Sequence, residues 1–455
     1  MIHLFLSVLT GSIFIFQLAF VKTQTPWTGL ALFALATLIV CFLQDKKAGR
    51  PFWNGRILFL LCLFIFLSNF RWHGSDDLPA SLMPFNIIQK GDPHLDNFAG
   101  WFAHNQDNVI RVHGHLVSFY PVLSPLLSLP VYLIPALRGV VPDGHVLHQL
   151  EKISASLMCA VVVWLFFRIF RKKVSEKWAF ILALVFAMGT SAWSLSSQAL
   201  WQHPASTLML TAELFAIDQV TENAALWYAV GFFAVCSVAA RSANAVSALF
   251  FGFTALLIGG SALLRFIVGA AAPATILWTY WYKVVGTGLP AEFSYQSTHF
   301  HLYPRWNAIS GLIASPGRGI LFFSPVMIWC VAGAWIAIRD RRLHCRAVTI
   351  TLALNVMSMF LLIASYGPWN GGFSFGPRYL TGPCVLGFYF LPAVVPLLES
   401  KSGWRRLWWL TVGWSVAVNA IGAYATWSWE NIALLDSVWN FKAFPPVYLI
   451  WSLFH

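Results

Sequence analysis

Residues 153–197 read ISASLMCAVVVWLFFRIFRKKVSEKWAFILALVFAMGTSAWSLSS. Two apolar runs flank a short segment that holds Arg168, Arg171, Lys172, Lys173 and Lys177. A helix needs ~20 residues to cross ~30 Å of hydrocarbon. A tight basic loop between two such runs marks a turn on the cytoplasmic side of a membrane. The pattern repeats in both directions. Of 455 residues, 58% are hydrophobic and only 10% charged, against about 25% charged in a soluble domain. So few charges cannot cover a soluble surface. The expected fold class is an all-α polytopic membrane protein, a single transmembrane domain over 1–455 with no separate soluble domain.

The expected spans are 3–20, 27–43, 57–70, 148–168, 178–197, 204–219, 224–240, 243–262, 266–282, 320–338, 347–365, 379–397 and 407–425. The N-terminus lacks a basic leader and a small-x-small cleavage site, so 3–20 is read as a retained span rather than a cleaved signal. Alternating the spans from a cytoplasmic N-terminus places 17 of the 29 Lys and Arg in six short loops on that side. The net charge of +12 therefore reads as membrane orientation and not as a nucleic-acid surface. The acidic turn 218–223, with Asp218 and Glu222, runs against this pattern. Cys41, Cys62, Cys159, Cys236, Cys330, Cys345 and Cys384 all fall in spans or cytoplasmic loops, and no disulfide framework is expected.

The orientation puts three polar insertions on the outer face: 71–147, 283–319 and 366–378. The first is expected to carry interfacial helices, because 116–140 is apolar but interrupted by four prolines. The C-terminal 426–455 is expected to lie at the same interface. An integral, multi-pass protein of a bacterial cytoplasmic membrane, with its site facing outward, is the expected localisation.

Chemistry-bearing residues gather in those insertions. Asp76 and Asp77, in RWHGSDDLP, are adjacent carboxylates at the mouth of a span, a setting that raises one pKa and suits a general base. Asp92, Asp96 and Asp107 read as turn or cap residues. Arg318 in SPGRGILFFSP and Arg378 in WNGGFSFGPRYLTG each sit among glycines just before an apolar helix. A guanidinium beside free helical N–H groups makes an anion site. Arg241 opens another span less distinctively. His203 and His115 read as hydrogen-bond donors to phosphate or sugar. Tyr120, Tyr366, Trp369, Phe373 and Tyr379, with Asn370 beside them, are placed to pack on a sugar. The histidines His113, His115, His299 and His301 match no zinc signature, and no metal or other cofactor is expected. Glu213, inside a span, calls for a polar partner or a wet cavity.

Taken together, three patterns resemble the GT-C superfamily of membrane glycosyltransferases, which includes the protein O-mannosyltransferases and the aminoarabinose transferase of lipid A. They are SDDLPASLMPFNIIQKGD, the segment HGHLVSFYPVLSPLLSLPVYL, and the pair SPGRGILFFSP and WNGGFSFGPRYL. The resemblance implies a bundle of about thirteen spans. It also implies transfer, with inversion, of a sugar from a polyprenyl-phosphate carrier to a hydroxyl of a glycan, lipid or protein on the outer side. Asp76 aligns with that superfamily's catalytic base, and Asp77 stands where many members have Glu. Arg318 and Arg378, with His203, Tyr379 and Arg241, would hold the carrier phosphate. His115, Tyr120, Trp369 and Asn370 would face the sugar or acceptor. The competing readings are a ligase or polymerase of lipid-pyrophosphate oligosaccharides and a transporter of lipid-linked sugars. A transporter would want ionisable groups at mid-membrane, which these spans largely lack.

Overall fold

A computed structural model of the chain describes residues 26–49, 52–68, 75–103, 106–339, 346–372, 374–424 and 438–452. The expected span 3–20, His73, His104, Cys345, Phe373 and residues 425–437 lie outside the described residues.

The described chain is helical apart from one short antiparallel hairpin, Val109–Val112 paired with His115–Ser118. Helix Gly144–Phe170 runs through the middle, with 78% of its most apolar stretch buried. Asp143 caps it by accepting from the Val146 N–H, which satisfies one of the helix's free donors. Around it pack Gly55–Leu67, Glu176–Gly189 and Gln202–Ile217, whose Leu58, Phe66, Phe186 and Leu214 share one core with Phe166 of the central helix. Helix Gly260–Tyr280 lies at the periphery and exposes Leu264, Ile267, Val268 and Ile276. Such an apolar outer face suits contact with lipid tails.

Among the described residues, three helices are long and apolar enough to cross a membrane: Gly144–Phe170, Gly260–Val285 and Arg346–Ser365. A fourth forms if Arg378–Phe388 and Leu391–Ser400, bent by 60°, are taken as one broken span. The expected thirteen is larger than this number. Several expected spans are interrupted or short. The segment 320–338 splits into Ile320–Phe323 and Met327–Arg339 at Pro325, which has no N–H to give. The segment 178–197 becomes Glu176–Gly189 followed by a π turn, Ala192–Ser196.

Two glycines set the approach of neighbouring helices. Helices Leu226–Ala240 and Gly260–Tyr280 cross with Gly231 against the Phe266 carbonyl and Gly269 against that of Tyr228. A Cβ at either position would overlap backbone, so only glycine permits this contact. Gly231→Ala should therefore destabilise the protein by about 2 kcal/mol or more, read as a lowered unfolding midpoint in detergent. An unchanged midpoint would refute the close crossing.

The two polar ends of the bundle differ. At one end Lys172 pairs with Glu222 and Lys173 with Asp218, while Trp178 Nε1 donates to Glu399 at 2.7 Å. This accounts for the acidic turn 218–223, whose carboxylates are the counter-ions of the basic loop 168–177. At the other end the three polar insertions converge. Phe300 bridges Tyr366, the Gly367 N–H donates to the His299 carbonyl at 2.8 Å, and Arg305 donates to the carbonyl of Gly367 at 2.6 Å. The second and third insertions thereby form one wall.

Candidate active site

That wall, the first insertion and the turns near 201 and 241 enclose a cavity of about 740 Å³. Its size is in the range of small-molecule sites. Asp76 lines it from the 3₁₀ turn Ser75–Asp77, which leads into helix Leu78–Lys90. A 3₁₀ turn rotates successive residues by a third of a circle, so adjacent acids diverge. The Asp76 carboxylate is 44% exposed and accepts from Arg378 Nη1 at 3.3 Å. Asp77 is 3% exposed and turns inward, away from the cavity, toward Glu151 of the central helix. Burial, then the Glu151 charge, raises its pKa well above the usual carboxylate range. The expected acidic pair is thus divided: Asp76 faces the cavity, and Asp77 belongs to a buried network with Ser81, Tyr132 and Glu151.

Arg378 opens the turn Arg378–Leu380. The loop before it bends back through Gly371, Gly372 and Gly376, all at positive φ, where a side chain would be strained. Arg378 Nε is buried with no hydrogen-bond partner among the described residues. Arg241, in extended conformation after helix Leu226–Ala240, also lines the cavity. The guanidinium carbons of Arg241 and Arg378 lie 5.2 and 5.3 Å from the ring centre of Tyr379. A cation over an aromatic face within ~6 Å is attracted by the ring quadrupole, so Tyr379 holds two like charges near each other. His203, at the start of helix Gln202–Ile217, completes the cluster, and its Nδ1 is buried without a partner among the described residues. Two cations and two unpartnered buried nitrogens form an unsatisfied set of polar groups suited to an anion.

Arg318 does not line this cavity, contrary to the sequence expectation. It is 1% exposed, and its guanidinium donates to the carbonyls of Asn370 at 2.6 Å, Gly372 at 2.7 Å and Gly317 at 2.9 Å. It fixes the glycine-rich loop that presents Arg378. Arg318→Ala would leave three carbonyls without these donors, at about 1–3 kcal/mol for the buried one of Gly317 and less for the half-buried ones of Asn370 and Gly372. The expected result is loss of folded protein in detergent extracts. A folded but inactive variant would instead point to ligand contact.

Three further expected contacts also fall elsewhere. His115 is exposed and pairs with Asp96 at 2.7 Å, at the turn end of the hairpin. The Trp369 indole is buried against Gly311. Asn370 uses its carbonyl on Arg318 and its side-chain oxygen on the Gly372 N–H. Tyr120 does line the cavity, donating to Asn108 Oδ1 at 3.2 Å, and burial raises its pKa. Tyr366 and Tyr379 line it too. Glu213 is fully buried, with neither oxygen partnered among the described residues.

Sequence reasoning passed over Glu292, Tyr295, Gln202 and Gln296, all of which line the cavity, and read the lining residue Asp107 as a turn. Glu292 left a signal: it is the single acid in 283–319. In the structure it is 1% exposed, accepts from Gln202 Nε2 at 3.2 Å and also from Ser242 Oγ.

No protein-family model matches the chain, and no curated protein matches it. Among solved structures it is similar to the Archaeoglobus fulgidus oligosaccharyltransferase, a structure tethered through a disulfide to an acceptor peptide containing the NVT sequon. The identity is 12% and the TM-score 0.46, over 83% of this chain and 56% of that one. The chain thus spans just over half the length of that enzyme. An overlap this loose carries no functional argument.

Proposed function

We propose that the cavity is the active site of an inverting glycosyltransferase that uses a polyprenyl-phosphate sugar and works at the outer face of the membrane. One observation carries the reading: Asp76 and Arg378, 302 residues apart, face one cavity in contact, with Arg241 and His203 beside them. A sugar phosphodiester has a competent leaving group already. The site must supply a base for the acceptor hydroxyl and positive charge opposite the departing phosphate.

The donor phosphate takes up Arg378, Arg241 and the His203 imidazole. Drawing Arg378 toward phosphate loosens its hold on Asp76, whose carboxylate then accepts the hydroxyl proton. The acceptor oxygen bonds to the anomeric carbon from the face opposite the phosphate. The carbon–oxygen bond to phosphate breaks, and its electron pair leaves on the lipid phosphate. The scheme calls on no metal. Tyr120, Tyr295 and Tyr366 supply aromatic walls for a sugar, and the acceptor is a hydroxyl of a glycan, lipid or protein.

The test is purified protein in nanodiscs mixed with a polyprenyl-phosphate sugar and an acceptor glycan or lipid extract. Release of free polyprenyl phosphate supports the reading. Movement of intact donor across a sealed vesicle, with no release, would replace it with a transporter.

A further inference from the structure

Glu292 lines the anion cluster yet has no task in the steps above. A buried carboxylate is costly unless it is paired and hydrogen-bonded. This one is held from both sides: Ser242 follows Arg241 directly, and Gln202 directly precedes His203. Burial raises the Glu292 pKa, and the Ser242 hydrogen bonds, the Arg241 charge and the Gln202 hydrogen bond offset only part of that rise. Arg378 is paired with Asp76, and Glu292, hydrogen-bonded to the residue after Arg241, places a second carboxylate in the same cavity. The two carboxylates differ in one respect. Asp76 is half exposed and takes up a proton during transfer, whereas Glu292 is enclosed and takes no part in it.

The anion's charge also changes during the reaction. The donor phosphodiester carries one negative charge, and the phosphomonoester left behind carries close to two above its second pKa of about 6. We infer that Glu292 is a specificity-determining residue of the anion site, whose fixed negative charge lets Arg241 and Arg378 bind a lipid phosphodiester while preventing retention of the phosphomonoester product. The inference rests on the proposed reading, in which a lipid-linked phosphate occupies the cavity. A lipid pyrophosphate, with more charge still, is disfavoured by the same balance.

The experiment compares two probes at about pH 8: farnesyl phosphate, a dianion there, and its methyl ester, a monoanion. Calorimetric affinities are measured for wild-type protein and variants in nanodiscs. Wild-type protein should bind the ester at least as tightly as the dianion. Glu292→Gln keeps the acceptor for Ser242 and removes the charge. It should shift the ratio at least tenfold toward the dianion, the effect expected of one unit charge within about 12 Å at an effective dielectric near 20. Gln202→Lys, which sets a cation on the same carboxylate, should shift the ratio the same way and decides the matter if Glu292→Gln does not fold. Asp107→Asn removes an exposed carboxylate of the same cavity and should change the ratio less than about twofold. A ratio unchanged in the folded variants at 292 and 202 overturns the inference while leaving the donor reading intact. If wild-type protein binds neither probe, the donor reading falls and the inference with it.

Discussion

Replacing Asp76 by asparagine should lower turnover roughly 10³-fold, within the span attributed to a positioned acid–base group, and leave donor binding intact or tighter. Asparagine fills the same space and keeps an oxygen for Arg378 Nη1, so the turn Ser75–Asp77 and the cavity wall should survive. What disappears is the ability to take a proton. Arg378 also loses its counter-ion, which frees it for phosphate. The two readouts separate the possibilities: release of polyprenyl phosphate follows chemistry, and calorimetric titration with the unreacted donor follows binding. Turnover within tenfold of wild type would remove Asp76 as the base. A joint loss of turnover and binding would make it a structural residue.

Arg378→Ala should act on the opposite half of the reaction. Truncating one member of a buried, charge-assisted contact costs about 2–5 kcal/mol in binding, which is a loss of donor affinity of roughly 30-fold or more. The lost guanidinium also leaves Arg241 as the remaining cation beside Tyr379. Arg378→Lys should recover part of the affinity, because an ammonium restores the charge without the planar fork that grips two oxygens. Donor titration and product release with both variants check this. Equal losses for lysine and alanine would place the effect in fork geometry rather than charge. Wild-type affinity in Arg378→Ala would dissociate the phosphate from this cluster.

Much of this architecture was legible in the chain itself, and the failures share a cause. The apolar runs predicted where helices lie, because burial in lipid demands runs of that length and hydrogen bonding demands a helix. They overstated continuity at Pro325 and Thr190, where a short break costs a run of hydropathy nothing. Asp76, Arg378, Arg241, His203, Tyr120, Tyr366 and Tyr379 were readable as candidates from residue type and sidedness. Arg318 was misassigned because a glycine-flanked arginine before a helix looks alike whether it faces a ligand or cages carbonyls. The division of Asp76 from Asp77 depends on the local turn, which two consecutive acids do not reveal. Glu292 was missed for want of a motif, although a lone acid in a long insertion rich in aromatic residues was itself unusual. His115, Trp369 and Asn370 depended on which way a hairpin and a glycine loop fold, and neither follows from composition.

The crossing of Gly231 and Gly269 reaches further than packing. Gly231 lies ten residues before Arg241, about 15 Å along a helix, and Gly269 lies on helix Gly260–Tyr280, after which the chain passes through the π turn Trp281–Val285 and a short loop to Glu292. Rolling one helix on the other at this crossing would displace the Arg241 guanidinium and the Glu292 carboxylate relative to each other. A methyl group inserted at that pivot should be felt first by the phosphate, at a distance, before the bundle itself comes apart.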